Sequence, residues 1–523
     1  MNIKWKRLMS LLCVSVLTAC AALSGCGSDK DKKETENNTP QSTQEQSNAS
    51  TANTGETTTN TGETTTINWY RAIFNTYADA EGKAVEAAIN EYLEPLIGVK
   101  VNMTVLTHDN YPTKLNLALA GGEDVDVFWT SSWSGAASTE EIVRNNAALD
   151  ITELLDDYPL LLDSMPKLAW QSSAFEGKNY FIPNYKGMSE GYSFITPKAV
   201  AEQAGMTRED FDKVESILDL EPYLEKISEL NLRIPLTFRG KAYGFTRFFM
   251  DKFDSITNYA GIKLDGDQTK VVNILESEEY ENYVTKMYEW NQKGYISEGD
   301  ATEANANIVE YAHMGDFGLM PDETKATVED TEIDFSESYN CEVIAIPVTE
   351  KYIGSNGALG SCYAINAQSK RVDASMRFLG QLMTDTTLAD FAAYGIEGEQ
   401  YTRGEDNKVT FKPDVTYLFN AWSSTNITVA SVPSSSREDT IIIDDAAAIV
   451  RPTSGFRFDR TKVDAQYTAL QSVVDEYMGL LEEGFLEPEK SLAEYRSRMK
   501  EAGIDTVIAE MQAQYDEFLA NKQ

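Results

Sequence analysis

The most restrictive feature of this sequence is an alternation of strand and helix patterns between residues 67 and 129. Apolar residues form a short run, then recur at helical spacing, then alternate, then fill a short helix that ends at Gly121 and Gly122, and then form another run. These five segments are 67–70, 85–96, 99–105, 115–119 and 125–129. Such alternation predicts a parallel sheet covered by helices, and ligands of open α/β sheets bind beyond the carboxyl ends of the strands.

The residues at these predicted strand ends are aromatic or polar, and we take four of them as candidate ligand-binding residues. Tyr70 ends the first strand, Asp109 follows the second, Trp129 ends the third, and Trp133 lies in the Ser-rich loop that follows. Aromatic rings can stack on the apolar face of a ligand, and carboxylates can accept its hydrogen bonds. The alternative for each is an ordinary packing or loop residue.

The amino-terminal segment has the pattern of a secretory signal. Positive charges precede an uncharged run over residues 8–23, which is shorter than the roughly 20 apolar residues of a membrane-spanning helix. The following Leu23-Ser24-Gly25-Cys26 resembles a bacterial lipobox. The resemblance implies cleavage of a signal over 1–25 and lipidation of Cys26; the alternative is an ordinary signal peptide and a secreted protein.

Residues 26–66 are rich in Ser, Thr, Asn, Gln and Glu, and a seven-residue sequence starting at Asn53 is duplicated at Asn60. Large apolar residues are missing from this stretch, so folding would bury nothing to offset its entropy cost. We predict a disordered tether. The remainder of the 523 residues is long enough for two or more cores.

The composition excludes several classes of function. A net charge of −38 disfavours nucleic acid or an anionic membrane surface as a partner. With two histidines in the chain, a multi-histidine metal centre is nearly ruled out, and the acidic turn at Asp265 and Asp267 falls far short of a calcium loop. Beyond the signal and Cys26 there are only Cys341 and Cys362; a disulfide framework is excluded, and one bridge or two free thiols remain open.

The sequence contains none of the common catalytic motifs for phosphate transfer, zinc proteolysis or serine hydrolysis. A secreted glycoside hydrolase would need two carboxylates flanking a bond, and with 83 acidic residues some pair will always be close. We predict a protein that is not an enzyme and that needs no cofactor or metal.

Further candidate residues lie in the middle and late parts of the chain. An extended apolar segment over 177–185 ends in a turn and is interpreted as a crossing between lobes, so Asn184 and Tyr185 are expected at the floor of a cleft. Arg247 lies in an aromatic cluster, and Trp422 follows Asn420 and Ala421. Packing in the core is the alternative for Arg247 and Trp422. We interpret Glu397 as a structural hydrogen-bond acceptor.

The order of these elements resembles family 1 extracellular solute-binding proteins, which are the two-lobed receptors of sugar importers. Three stretches carry the resemblance over the first part of the chain, and a fourth group resembles the carboxy-terminal domain of the longer oligosaccharide-type lipoproteins of this family. The stretches are 119–129, 149–155 and 170–183, followed by the group 394–401, 455–459, 502–505 and 510–514.

The resemblance implies an α/β, two-lobed type II periplasmic-binding-protein-like fold, in which each lobe is a mixed, mainly parallel sheet covered by helices, with added C-terminal helices. We assign 67–184 and 348–390 to lobe 1, and 185–347 and 391–523 to lobe 2. The implied function is capture of a small solute, a mono- or oligosaccharide, and delivery to the permease subunits of an ABC importer by hinge closure. The protein is expected to be a monomer, anchored by Cys26 on the outer face of the cytoplasmic membrane. A receptor for a peptide is the alternative.

Overall fold

The computed structural model describes residues 63–239, 242–298, 300, 314–434 and 445–521. The predicted signal and Cys26 lie outside these residues, and so does the predicted tether up to residue 62. The strands are β1 (Thr65–Ile73), β2 (Val99–Thr107), β3 (Val127–Thr130), β4 (Phe181–Pro183), β5 (Tyr192–Pro197), β6 (Ile234–Leu236), β7 (Phe253–Ser255), β8 (Ala260–Lys263), β9 (Val271–Asn273), β10 (Phe317–Glu323), β11 (Val343–Pro347), β12 (Tyr352–Ile353), β13 (Cys362–Ile365), β14 (Tyr401–Arg403), β15 (Val409–Phe411) and β16 (Ile449–Val450).

The described residues form helices of very different lengths, from 4 residues to 19. They are α1 (Asp79–Ile97), α2 (Tyr111–Ala120), α3 (Thr139–Arg144), α4 (Pro159–Asp163), α5 (Lys167–Ser172), α6 (Lys198–Gln203), α7 (Arg208–Phe211), α8 (Glu221–Ile227), α9 (Phe245–Phe248), α10 (Glu278–Gln292), α11 (Val328–Tyr339), α12 (Val372–Leu382), α13 (Thr386–Tyr394), α14 (Ala421–Ser424), α15 (Asp464–Glu482), α16 (Pro488–Ala502) and α17 (Ile504–Asn521). In the part of the chain that the structure describes, none of the helices combines the length and apolarity needed to cross a bilayer.

Lobe 1 is built on a five-stranded sheet in the order β2-β1-β3-β13-β4. β1 runs parallel to β2 and β3, and β13 is antiparallel to β3 and β4. Helix α1 buries Val85, Ile89 and Leu93 on one face, as their helical spacing predicts, and Gly98 ends it in the left-handed conformation with φ 65°. The carboxyl ends of the three parallel strands therefore meet at one edge of the sheet.

Lobe 2 contains a four-stranded sheet in the order β11-β5-β10-β6, together with a three-stranded antiparallel sheet β7-β8-β9. The C-terminal helices belong to this lobe, because buried residues of α15, α16 and α17 share a core with residues of β5 and α10. The lobe 1 sheet has one core. The lobe 2 sheet has two, a large one shared with the C-terminal helices and a smaller one that includes Phe335 and Tyr339.

The chain crosses between the lobes at three places in the described residues: after β4, between β11 and β13, and before β16. The crossings are joined to each other, since Glu190 forms an antiparallel bridge with Tyr352 and β12 pairs in parallel with β16. Backbone hydrogen bonds from Ile449 to Lys351 and from Arg451 to Ile353 hold the second and third crossings together.

The segment after residue 390 packs differently from the sequence-based division, which placed 391–523 in lobe 2. Tyr417 and Phe419 are buried in the core of lobe 1. The guanidinium of Arg71 in β1 donates to the hydroxyl oxygens of Tyr417 at 2.7 Å and Ser424 at 2.8 Å. A buried guanidinium needs such acceptors, and they come from this late segment. The chain returns to lobe 2 only after the third crossing.

The structure also bears on the pairing of the two cysteines and on the bounds of the first strand. Cys341 and Cys362 are both free thiols, and Cys362 is buried in β13. The first strand begins at Thr65, two residues before the predicted start, and it continues to Ile73 rather than ending at Tyr70.

Candidate functional site

An aromatic patch lies at the carboxyl edge of the lobe 1 sheet. Phe74 follows β1, His108 follows β2, Trp133 lies in the loop after β3, and Trp422 is in α14. The ring of Phe74 is 4.7 Å from that of His108 and 4.9 Å from that of Trp422, while Trp133 lies 5.1 Å from His108 and 6.5 Å from Trp422. Trp133 is 47% exposed, although it is a large apolar side chain. We call these four residues the aromatic patch.

Trp129 lies beneath the aromatic patch and is 1% exposed. Its ring contacts Trp133 at 5.7 Å, and its indole nitrogen donates to the hydroxyl oxygen of Ser361 at 2.8 Å. The same hydroxyl accepts the side-chain amide of Asn184 at 3.0 Å. Trp129 and Asn184 are therefore buried supports of the floor, and neither side chain is open to a solute in this conformation.

The orientation of Trp133 is fixed by the turn that precedes β13. Its indole nitrogen donates to the carbonyl oxygen of Gly360 at 2.8 Å. A Cβ atom on Gly360 would lie 3.3 Å from Cε of Lys186, so the lysine stem passes close to this turn. The ammonium group of Lys186 is 5.9 Å from the ring centre of Trp422. Lys186 therefore lies beside the aromatic patch, at the first crossing.

Lobe 2 contributes a set of charged residues to the same region. The guanidinium of Arg247 lies 5.3 Å from the ring centre of Tyr192 and 4.9 Å from that of Tyr243, and it donates to the Tyr192 hydroxyl at 3.3 Å. That hydroxyl donates to Glu190 at 3.4 Å. Burial raises the pKa of Glu190, whereas the ammonium group of Lys186 lowers the pKa of Glu323.

Lys186 connects the two surfaces, because it contacts the aromatic patch and acts electrostatically on Glu190 and Glu323. A further cation, Arg239, is paired with Asp322 at 2.6 Å. We call Lys186, Glu190, Arg247 and Glu323 the charged cluster. The aromatic patch of lobe 1 and the charged cluster of lobe 2 together form the candidate site.

Tyr185 occupies the hinge side of this site. Its hydroxyl donates to Asp445 Oδ2 at 2.6 Å, and Asp445 Oδ1 accepts the backbone N–H groups of Met188 and Ser189 at 2.7 and 3.1 Å. The first and third crossings are thereby bound to each other. In this conformation the Tyr185 hydroxyl is engaged in the contact between these two crossings.

The two remaining predicted residues, Asp109 and Tyr70, lie at the margin of the candidate site or outside it. The Asp109 carboxylate is exposed, 4.0 Å from the His108 ring nitrogen Nδ1. Tyr70 was chosen as a strand end, but it lies inside β1, and its hydroxyl donates to Glu123 at 3.3 Å. Glu123 precedes β3, at the opposite edge of the sheet from Trp133. The reason for choosing Tyr70 therefore fails, and Phe74 occupies the position that it was expected to hold.

Sequence reasoning missed Phe74, His108 and most of the charged cluster. Extending the first strand by three residues would have identified Phe74, and His108 directly precedes the chosen Asp109. Lys186 directly follows the chosen Tyr185. Glu190 and Glu323 had no such signal, because they lie far apart in sequence and meet only through the lobe 2 sheet.

In the ranges that the structure covers, no three His, Cys, Asp or Glu side chains are arranged to hold a metal ion. In the acidic turn singled out above, the carboxylate of Asp267 accepts the backbone N–H and the hydroxyl of Thr269 at 3.0 and 2.7 Å. These bonds are those of an Asx turn, and they give that carboxylate a structural role.

Comparison with known proteins identifies the family. The sequence model described as "Bacterial extracellular solute-binding protein" matches residues 87–396, which is more than half of the chain. The chain belongs to this family. A second model, "Domain of unknown function (DUF3502)", matches residues 452–520 of the solute-binding protein, which include α15, α16 and all but the last residue of α17. The family resemblance inferred from the sequence is thus confirmed.

The solute-binding protein is 24% identical over 457 residues to a carbohydrate ABC transporter substrate-binding protein of Streptococcus pneumoniae serotype 4, covering 84% of this chain and 88% of that one. Its structure is similar to the N-glycan transport solute binding protein NgtS from Streptococcus pneumoniae, with a TM-score of 0.76, 21% identity, and coverage of 88% of this chain and 100% of that one. The complex of NgtS with Man1GlcNAc gives a TM-score of 0.74 at 21% identity, covering 87% and 100%. The predicted two-lobed α/β fold is confirmed.

Proposed function

We propose that the protein captures an oligosaccharide in the cleft between its lobes and delivers it to an ABC importer by hinge closure. The observation that carries this proposal is the exposed indole of Trp133 within the aromatic patch, next to the charged cluster of the other lobe. Sugars have apolar ring faces and many hydroxyl groups. Aromatic rings stack on the former, and carboxylates and guanidinium groups form hydrogen bonds with the latter. The aromatic patch of lobe 1 can thus stack on the ring face of a sugar, and the charged cluster of lobe 2 can form hydrogen bonds with its hydroxyl groups.

The charges of the site favour an uncharged sugar. Within the described residues, Lys186 and Arg247 face the carboxylates of Glu190 and Glu323, and Arg239 is paired with Asp322. Lys325, which also acts on Glu323, is paired with Asp334 at 3.3 Å. The cations of the cluster are therefore balanced by carboxylates. A uronic or sialic acid would add an anion without a matching cation, whereas a neutral glycan would leave the balance intact.

The division of the site between lobes supplies a mechanism for delivery. A solute that contacts both surfaces binds the closed form better than the open form, and only such differential affinity can shift the equilibrium toward closure. The permease subunits would then recognise the closed form. The names of the pneumococcal relatives agree with sugar transport and support this assignment.

Titration of the purified protein with neutral glycans of increasing length, followed by calorimetry, tests the proposal. We expect binding, and we expect Trp133→Ala to weaken it by roughly tenfold to a hundredfold, since stacking on an aromatic ring contributes about 1 to 3 kcal/mol. Tyr288→Ala, which removes a half-buried ring from α10, should leave the affinity unchanged. Binding of peptides but of none of the glycans would contradict the proposal.

The same preparation separates a receptor from a hydrolase. After prolonged incubation, chromatography should recover the bound glycan with its chain length unchanged. Release of shorter products would assign a catalytic role to the carboxylates of the cleft.

We also propose that lipidated Cys26 anchors the protein on the outer face of the cytoplasmic membrane. The support is the Leu-Ser-Gly-Cys sequence after an apolar run, followed by a polar stretch that suits a tether. Cys26→Ser should release the protein from the membrane fraction into the medium. Ser24→Thr provides a control with an intact thiol. Equal membrane retention of both variants would contradict lipidation.

A further inference from the structure

The chain from Gly455 to Arg460 runs along lobe 1 although it belongs to the C-terminal part of lobe 2. The guanidinium of Arg457 donates to the carbonyl oxygen of Ser172 at the end of α5 and lies 5.4 Å from the ring centre of Phe175. Phe175 is part of the lobe 1 core, whereas Phe456 is part of the lobe 2 core. This segment, which the sequence analysis singled out without a role, is therefore a contact between the lobes.

Arg460 extends this contact to α3. Its guanidinium donates to Glu141 Oε1 at 2.7 Å and lies 3.2 Å from Asp464 Oδ1. Arg144 completes the set, since it pairs with Glu141 and lies 3.8 Å from Asp464. The two guanidinium groups and the two carboxylates thus form a ring in which positive and negative charges alternate. Glu141 and Arg144 come from lobe 1, and Arg460 and Asp464 come from lobe 2.

The position of α3 relates this ion cluster to the cleft. Helix α3 follows the loop that carries Trp133, and the bridge between Ser131 and Ser138 closes that loop. The helix is fixed to its lobe because Ile142 is buried in the lobe 1 core, and Val463, next to Asp464, is buried in the lobe 2 core. A rotation that moves the lobes apart at this edge would separate Glu141 from Arg460.

We propose that Arg460 and Glu141 act as an electrostatic latch that stabilises the closed form and so sets the affinity for the solute without touching it. The proposal rests on the proposed function, because the latch acts through hinge closure. The four side chains are partly exposed, so the pair contributes a modest amount of free energy. The free protein is taken to populate both the open and the closed form, so stabilisation of the closed form raises the closed fraction, and the apparent affinity rises in proportion to that fraction.

The test is a double-mutant cycle with Arg460→Gln, Glu141→Gln and both together, measured by calorimetry with a neutral glycan. We expect each single variant to raise the Kd about threefold to fivefold. The double variant should be no worse than the worse single variant, because both remove one interaction. Lys462→Gln breaks the 2.8 Å ion pair with Glu510, which lies wholly within the C-terminal helical region, and should leave the Kd unchanged.

Salt dependence gives a second measurement. The glycan is uncharged, so screening acts on the protein and not on the charge of the ligand. The Kd of the unaltered protein should rise with added sodium chloride, and the Kd of Arg460→Gln should rise less.

Small-angle scattering of the unliganded protein makes the latch testable apart from the solute. Arg460→Gln should have a larger radius of gyration than the unaltered protein, and Lys462→Gln should not. Unchanged radii, or additive Kd effects in the cycle, would overturn the latch. If no glycan binds to the unaltered protein, the proposed function fails, and the scattering result still decides whether the ion cluster holds the lobes together.

Discussion

The carboxylate of Glu482 in α15 accepts the backbone N–H of Phe245, the first residue of α9, at 2.9 Å. The carboxyl group is buried, and burial raises its pKa from 4.5 to about 7. The phenols of Tyr280 and Tyr283 lie close by, as their electrostatic interactions with it show. Because α9 carries Arg247, a carboxyl group of the C-terminal helices holds the element that presents a cleft residue.

This arrangement predicts a pH dependence of folding stability. Between pH 4.5 and 7 the unfolded state has lost the Glu482 proton and the folded state retains it, so the free energy of unfolding falls as pH rises through this range. The full loss is roughly 3 kcal/mol. Glu482→Gln keeps an acceptor for Phe245 but does not titrate.

Urea denaturation of both proteins at pH 5, 6, 7 and 8 measures this effect. The difference in stability between Glu482→Gln and the unaltered protein should grow in favour of the variant as pH rises, and groups common to both proteins cancel. Parallel stability curves would show that the carboxyl group titrates normally.

Gly244 allows this contact and should not tolerate a side chain. A Cβ atom at Gly244 would lie 2.1 Å from Glu482 Oε2, which is far inside van der Waals contact. We expect Gly244→Ala to lower the free energy of unfolding by about 1 to 3 kcal/mol. Gly266→Ala, whose added atom would meet nothing closer than 3.6 Å in the same lobe, is the control. Equal denaturation midpoints for the two variants would contradict the close approach.

Arg71 should be essential for the stability of lobe 1. Its buried guanidinium lies between the rings of Trp69 and Phe419, at 4.1 and 3.6 Å, and donates to the carbonyl oxygen of Ala392 at 2.8 Å as well as to two hydroxyl groups. Arg71→Met removes the donor to the Tyr417 and Ser424 hydroxyl oxygens and leaves the Ala392 carbonyl oxygen with only the Tyr417 hydroxyl at 3.3 Å, which we expect to cost about 3 kcal/mol. Arg208→Met, which removes a partly exposed ion pair with Glu332 and a hydrogen bond to the Ala345 carbonyl oxygen, should cost about 1 kcal/mol. Similar losses would mean that solvent reaches Arg71.

The same residue shows why part of the fold could not be inferred from sequence. The amphipathic spacing of α1 and the alternation in β2 are local patterns, and both predicted their elements correctly. The return of residues 391–430 to lobe 1 depends on acceptors for a buried Arg71 more than 300 positions away. No local pattern records such a pairing.

The candidate site likewise contains residues that could be predicted from the sequence and residues that could not. The edge of a parallel sheet follows from topology, so Trp133 could be selected from the sequence alone. The end of β1 was placed three residues early because Arg71 interrupts the apolar run, and Phe74 was missed for that reason. The charged cluster arises from the antiparallel pairing of β5 with β10, which places Tyr192 opposite Glu323.

Glu323 should determine the charge selectivity of the proposed site. Its carboxylate balances Lys186, whose ammonium group lowers its pKa although burial opposes this effect. Glu323→Gln would leave one cation of the charged cluster unmatched, and a carboxylated glycan could then supply the missing anion. We expect the ratio of affinities for a neutral glycan over its uronic acid counterpart to fall by about tenfold. Glu501→Gln changes the net charge equally on exposed α16 and should leave the ratio unchanged, since distant surface charges are screened. If both variants shift the ratio alike, net charge and not the cleft governs selectivity.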